Sequence, residues 1–155
     1  MVKETQDSQE RVIKEYPNTT RWLEGRLILG VGNLILTTER IAFLNQVLVK
    51  EKHVQKMQEL SEAPSSLVLD YALTLHKNNF QIPLSSVTSA KVGLFAYFPI
   101  PRFCLRIAYF SNKKKEKIKR ASFMFTISIL RGFYQLEITT VMSWASTIKR
   151  VMKYK

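Results

Sequence analysis

The sequence predicts an α+β fold, mainly β: about seven antiparallel strands, a helical insertion after the first hairpin, and a C-terminal α-helix. Three observations predict it. Period-two alternation of apolar residues recurs in "NLILTTERIAFLN", "RFCLRIAYF" and "KIKRASFMFTI", the signature of strands with one buried face. A block of helix formers, "VLVKEKHVQKMQELSE", interrupts that pattern at 47–62. Near the end, Ile138, Val141, Trp144, Ala145, Ile148, Val151 and Met152 recur at helical spacing.

The elements follow in order. Residues 1–16 read as a short polar helix or a frayed tail, ended by Pro17 and Asn18. From Arg21, "RWLEGRLILGVG" reads as a strand, with Gly32 and Asn33 as a turn. "NLILTTERIAFLN" then holds two apolar runs around a tight polar break at Thr37–Arg40, which predicts a hairpin. The 47–64 block reads as one amphipathic helix stopped by Pro64. In "SLVLDYALTLHKNNFQIPL" the apolar residues at 67, 69, 71, 73 and 75 alternate like a strand; a helix beginning at Ser66 is the alternative. Asn78 and Asn79 tolerate positive φ and suit a turn, and Phe80, Ile82 and Leu84 continue beyond it. Strands from Val87, from Arg102 and through Phe123 and Phe125 complete the set. In the final helix, Glu137 suits the start and Lys149, Arg150 and Lys153 suit the negative end of the dipole.

Length and composition bound the rest. The chain has 155 residues, 46% apolar and 23% charged, consistent with one folded domain. Residues 1–20 are expected to be a tail or short helix, and 21–155 the domain. One cysteine, Cys104, excludes an internal disulfide and a cysteine zinc cluster. The opening MVKETQDSQE is polar, unlike a secretory signal, and no apolar run approaches the length of a membrane span. A cytoplasmic setting is expected, at a membrane periphery if the partner is a bilayer.

Charge is the strongest functional clue. Residues 1–62 carry nine Lys/Arg and nine Asp/Glu, whereas residues 63–155 carry fifteen against three, so the later part holds the whole net +12. Such asymmetry points to an anionic partner. Six of the eight residues from Lys113 to Arg120 are basic, in the loop joining the last two strands. Lys113, Lys114, Lys115, Lys117, Lys119 and Arg120 are the candidate contacts for an anionic surface, each worth about 1 kcal/mol beside an acidic membrane. The competing reading is a solvated loop whose lysines discourage edge pairing. "LFAYFPIP" at 94–101 is the second oddity. If Phe95, Tyr97, Phe98 and Ile100 tip into solvent they form an apolar wedge beside the basic loop. Otherwise they fold back under the insertion or into a dimer.

Catalysis finds no support. His53 and His76 have no His/Cys partners at metal-ligand spacing, and no phosphate loop or nucleophile elbow is present. No cofactor or metal is expected.

The hairpin "GNLILTTERIAFLN", with Gly32, Leu34, Leu36, Thr37, Arg40 and Phe43, resembles that of the GRAM-like and bacterial PH-like domains of the pleckstrin-homology superfold. "FQIPLSSVTSAKVG" resembles their turn into a following strand, and Trp144 is similar to the tryptophan that plugs one end of their barrel. The resemblance covers about residues 21–155. It implies a partly open barrel capped by the final helix, structural roles for Arg40 and Trp144, and binding without chemistry. The implied partner is an anionic lipid surface or an acidic protein. Nucleic acid, stacked on the aromatics beside the basic loop, and a dimerising scaffold are the alternatives.

Overall fold

The computed structural model describes residues 9–23, 27–46, 51–95, 102–111, 117–125 and 134–154. Among them, seven strands form one antiparallel sheet: β1 (Val12–Leu23), β2 (Leu27–Thr37), β3 (Arg40–Asn45), β4 (Phe80–Pro83), β5 (Val87–Phe95), β6 (Arg102–Phe110) and β7 (Ile118–Phe125). Helices α1 (Glu51–Glu59) and α2 (Ser65–Thr74) lie between β3 and β4, and α3 (Tyr134–Lys153) follows β7. The mainly β, α+β class with its insertion and terminal helix is the one the sequence predicts.

The strand order is β4-β3-β2-β1-β7-β6-β5. The first strand therefore pairs with the last, and β4 and β5 are the two edges. A flat sheet of this order would place β4 about 24 Å from β6. Instead the Phe80 ring of β4 meets the Tyr109 ring of β6 edge-on at 5.9 Å, and Phe43 of β3 lies 6.0 Å from Phe123 of β7. The sheet must curl on itself to bring these rings together. Its interior is a single cluster containing Leu34, Leu36, Ile41 and Phe43 from one half and Leu105, Ile107, Phe123 and Phe125 from the other. Helix α3 closes it with Val141, Trp144 and Ile148.

Three local expectations are corrected. Residues 12–16 belong to β1, not to a helix or tail. Pro17 and Asn18 do not stop an element; they mark a bulge, where the β1–β2 register shifts between Tyr16 and Thr19 and Asn18 takes a φ of 54°. A bulge tolerates a proline because it leaves one residue out of the ladder. Gly32 and Asn33 likewise form no turn: they sit inside β2, where Gly32 pairs with Thr19 of β1 and Asn45 of β3, and Asn33 pairs with Leu44 of β3 opposite the β1 bulge. A β-carbon on Gly32 would overlap the main-chain carbonyl of Leu44, so the glycine is there for close approach of backbones. Gly32→Ala is expected to lower stability by about 2–4 kcal/mol, measurable by urea unfolding.

The third correction concerns the insertion. The single helix expected over 47–62 ends earlier, α1 closing at Glu59 while residues 47–50 lie outside the described residues, and the strand expected over 67–75 is helix α2. The alternation of leucines misled because Ala72 is the residue that decides. Leu69, Ala72 and half-buried Leu73 lie at i, i+3 and i+4, on one helical face. That face packs on Ile35 and Ala42, the residues of β2 and β3 that point away from the main core. Pro64 precedes the first turn, where its missing N–H costs nothing. Helix α1 is tied to α2 by His53 Nδ1 and the Tyr71 hydroxyl, 3.0 Å apart.

Candidate functional site

Contacts bring three links of the chain to one end of the curled sheet: the end of β1, the lead-in to β4, and the β6–β7 hairpin. Arg21 of β1 is the meeting point. Its Nη1 donates to the Asn78 carbonyl at 3.2 Å, and its guanidinium lies 3.7 Å from the Phe80 ring centre. Phe80 in turn meets Tyr109 near the end of β6. The lead-in to β4 is itself pinned: Asn79 Oδ1 accepts from the Asn45 N–H at 2.7 Å, and Asn79 Nδ2 donates to the Ala72 carbonyl at 2.8 Å.

Among the described residues the electrostatics at this end are one-sided. Arg21 Nε is buried and makes no hydrogen bond among the described residues, and no described carboxylate pairs with Arg21. Burial pulls its guanidinium below the ordinary range, opposed by the nearby Tyr109 phenol. Burial pushes the Tyr109 phenol up, opposed in turn by Arg21. An arginine keeps its proton at neutral pH, so the stack on Phe80 holds a permanent cation.

Lys117, Lys119 and Arg120 follow on the surface of the β6–β7 hairpin, all exposed. Ile118 stands among them, 56% exposed, opposite half-buried Phe110. The hairpin stem thus presents an exposed apolar side chain next in sequence to three exposed cations. Of the sequence candidates, Lys113, Lys114 and Lys115 lie outside the described residues, as do Tyr97, Phe98 and Ile100; of Phe95 only the backbone position at the end of β5 is described.

The two candidate stretches do not leave the sheet side by side. The 96–101 link departs from the Phe95–Arg102 end of the β5–β6 pair. The basic link departs from the Phe110–Ile118 end of the β6–β7 pair. The full length of β6 separates these stems, about 26 Å for nine extended residues. At the far end, Arg102 Nε donates to Glu137 of α3 at 3.0 Å, locking the first turn of the helix to the start of β6. The apolar partner beside the basic stem is Ile118 with Phe110. Sequence reading missed it because Ile118 sits inside the lysine run, and it missed Arg21 because a lone arginine in "TTRWLEGR" carries no motif.

Arg40 and Trp144 sit elsewhere. The Arg40 guanidinium grips Glu10 with Nε and Nη2, both at 2.9 Å, and reaches Asp70 and Gln81 with Nη1. Burial lowers its proton affinity, and the bonds to Glu10 and Asp70 more than reverse that, so it is raised. Trp144 is fully buried, 5.6 Å from the Phe125 ring.

No family model matches the sequence, and no curated relative matches it. A solved structure does. The chain is similar to the Vps36 N-terminal PH domain, with a TM-score of 0.50 over 94% of this chain and 80% of that one, at 12% identity. The fold is pleckstrin-homology-like. At this identity the likeness speaks for the fold alone, and it does not single out the GRAM-like branch. Within a PH-like frame, the Arg21 stack and the β6–β7 hairpin lie together at one mouth of the barrel, whereas Trp144 of α3 packs on Phe125, at the opposite end of β7. Among the described residues no group of His, Cys, Asp and Glu could hold a metal ion, and Cys104 is buried, with its thiol pushed up chiefly by burial.

Proposed function

We propose that this PH-like chain is a non-catalytic binding module that docks on an anionic membrane surface through the β6–β7 end of its barrel. One observation carries the reading: exposed Ile118 stands among exposed Lys117, Lys119 and Arg120, next to a half-buried Arg21 that has no described carboxylate partner. Cations draw the hairpin to acidic head groups, and an apolar tip enters the interface. Neither signal alone gives firm attachment, whereas the two together do. Lys113, Lys114 and Lys115 extend the same charge run in sequence.

Vesicle co-sedimentation tests this. Binding is expected to vesicles of phosphatidylcholine with about 30% phosphatidylserine and not to phosphatidylcholine alone, and to weaken as salt rises. Replacing Lys117, Lys119 and Arg120 together by Gln removes three surface cations and is expected to weaken partitioning about a hundredfold. Ile118→Asp is expected to weaken it about tenfold. Equal binding to neutral and acidic vesicles, or a triple variant that partitions like the parent, would refute the reading.

A further inference from the structure

A second basic feature lies on a different face, away from the hairpin. A groove of about 560 Å³ runs between β5 and the C-terminal half of α3. Lys91 and Val92 form one wall, and Met142, Lys149, Arg150 and Lys153 the other. The four cations are exposed, no described carboxylate lines the groove, and none of the four is ion-paired with a described acid.

We propose that this groove binds an extended acidic protein segment, in which an apolar residue is followed by acidic residues at two alternate positions. The inference goes beyond the membrane reading and does not depend on it.

Charge complementarity selects the class of occupant. Four cations around one concavity, without a described acidic partner, repel each other until an anion enters. The field already reaches Lys14, across the helix: its ammonium, donating to Ser143 Oγ at 2.5 Å, is held below the ordinary lysine range, first by burial and then by Arg150. A bilayer is too flat to fill a concave groove, whereas a single chain fits it.

Spacing selects the conformation. Lys149 and Lys153 are one helical turn apart, about 6 Å along the axis. Alternate side chains of an extended chain repeat at about 6.6 Å. Acidic residues at positions i and i+2 therefore meet Lys149 and Lys153 in turn. Towards the other end, Val92 and Met142, the latter 55% exposed, offer an apolar seat. The wall is also a sheet edge: β5 pairs with β6 on one side only. No described strand covers its other side, and main-chain bonds along such an edge are the usual way an extended segment gains affinity.

Fluorescence anisotropy with a labelled, end-capped heptapeptide tests the proposal. The probe carries one leucine followed by two glutamates at alternate positions, the rest being serine. Saturable binding that weakens with salt is expected. Binding should fall at least about tenfold for the Lys149→Glu/Lys153→Glu variant, for Lys91→Glu on the opposite wall, and for a probe with glutamine in place of glutamate. Circular dichroism confirms that the variants fold, and Lys91→Glu tests the groove without touching the helix. Both groove variants should partition to acidic vesicles like the parent, which separates this proposal from the membrane reading. Peptide binding that does not saturate overturns it. So does a probe that binds both groove variants within about twofold of the parent, or groove variants that lose vesicle binding while still holding the peptide.

Discussion

Trp144→Ala is expected to lower the stability of the fold by about 3–5 kcal/mol, a large share of the total for a domain of this size. The indole is fully buried and lies in the one cluster that joins both halves of the sheet to α3. Truncation removes its contact with Phe125 and leaves a hole that a curled sheet closes only in part. The same ring carries a defect that makes the prediction sharper. Its Nε1 is buried with no hydrogen-bond partner among the described residues, a donor left unpaired at a cost of about 1–3 kcal/mol. Trp144→Phe removes that donor together with the lost volume, so it is expected to cost under half as much as Trp144→Ala. Thermal unfolding reads both: the alanine variant should melt about 10 °C lower or more, with phenylalanine in between. Equal losses for the two variants would mean that neither the hole nor the unpaired donor governs this site.

Arg40→Ala is expected to cost about 3 kcal/mol. The Glu10 and Arg40 side chains are only 9% and 13% exposed, so removing the guanidinium strands a carboxylate that has little access to water. The bond to Asp70 adds less, because that side chain is 54% exposed and solvent screens it. What Asp70 and the Ser66 carbonyl contribute is position: through them Arg40 fastens α2 to the start of β3. The double variant Arg40→Met/Glu10→Gln should regain at least half of the loss, since no buried charge is then left alone. Hydrogen exchange should show the amides of α2 opening in Arg40→Ala well before those of β6. A double variant as unstable as the single would locate the cost in lost packing instead.

How much of this was legible in the sequence depended on whether an element kept one unbroken period. β2–β3 and β6 were readable because Leu34, Leu36, Ile41 and Phe43, and then Leu105 and Ile107, alternate into the core without exception. Helix α3 was readable for the same reason at helical period. β1 was not, because its bulge at Pro17–Asn18 resets the alternation halfway and most of its side chains are polar. Helix α2 was ambiguous because leucines at odd positions satisfy a strand as well as a helix, and only its cover of Ile35 and Ala42 resolves the choice. The charge asymmetry pointed to the later part of the chain, yet the grouping of its charges was invisible. Lys149, Arg150 and Lys153 read as complements to a helix dipole, and nothing in the sequence sets them facing Lys91. The Arg21 stack likewise unites residues from three distant strands, and only the curl of the sheet creates it.

The pairing of the first strand with the last also bears on how the protein is made. Thr19 is matched with Phe125, so during synthesis the opening strand waits for nearly the whole chain before its second neighbour leaves the ribosome. The β2–β4 half can assemble early, but its apolar inner surface stays uncovered until β7 and then α3 arrive. Such long-range closure is slow and leaves sticky intermediates. Truncated nascent chains ending before Tyr134 should therefore be the species that chaperones hold longest.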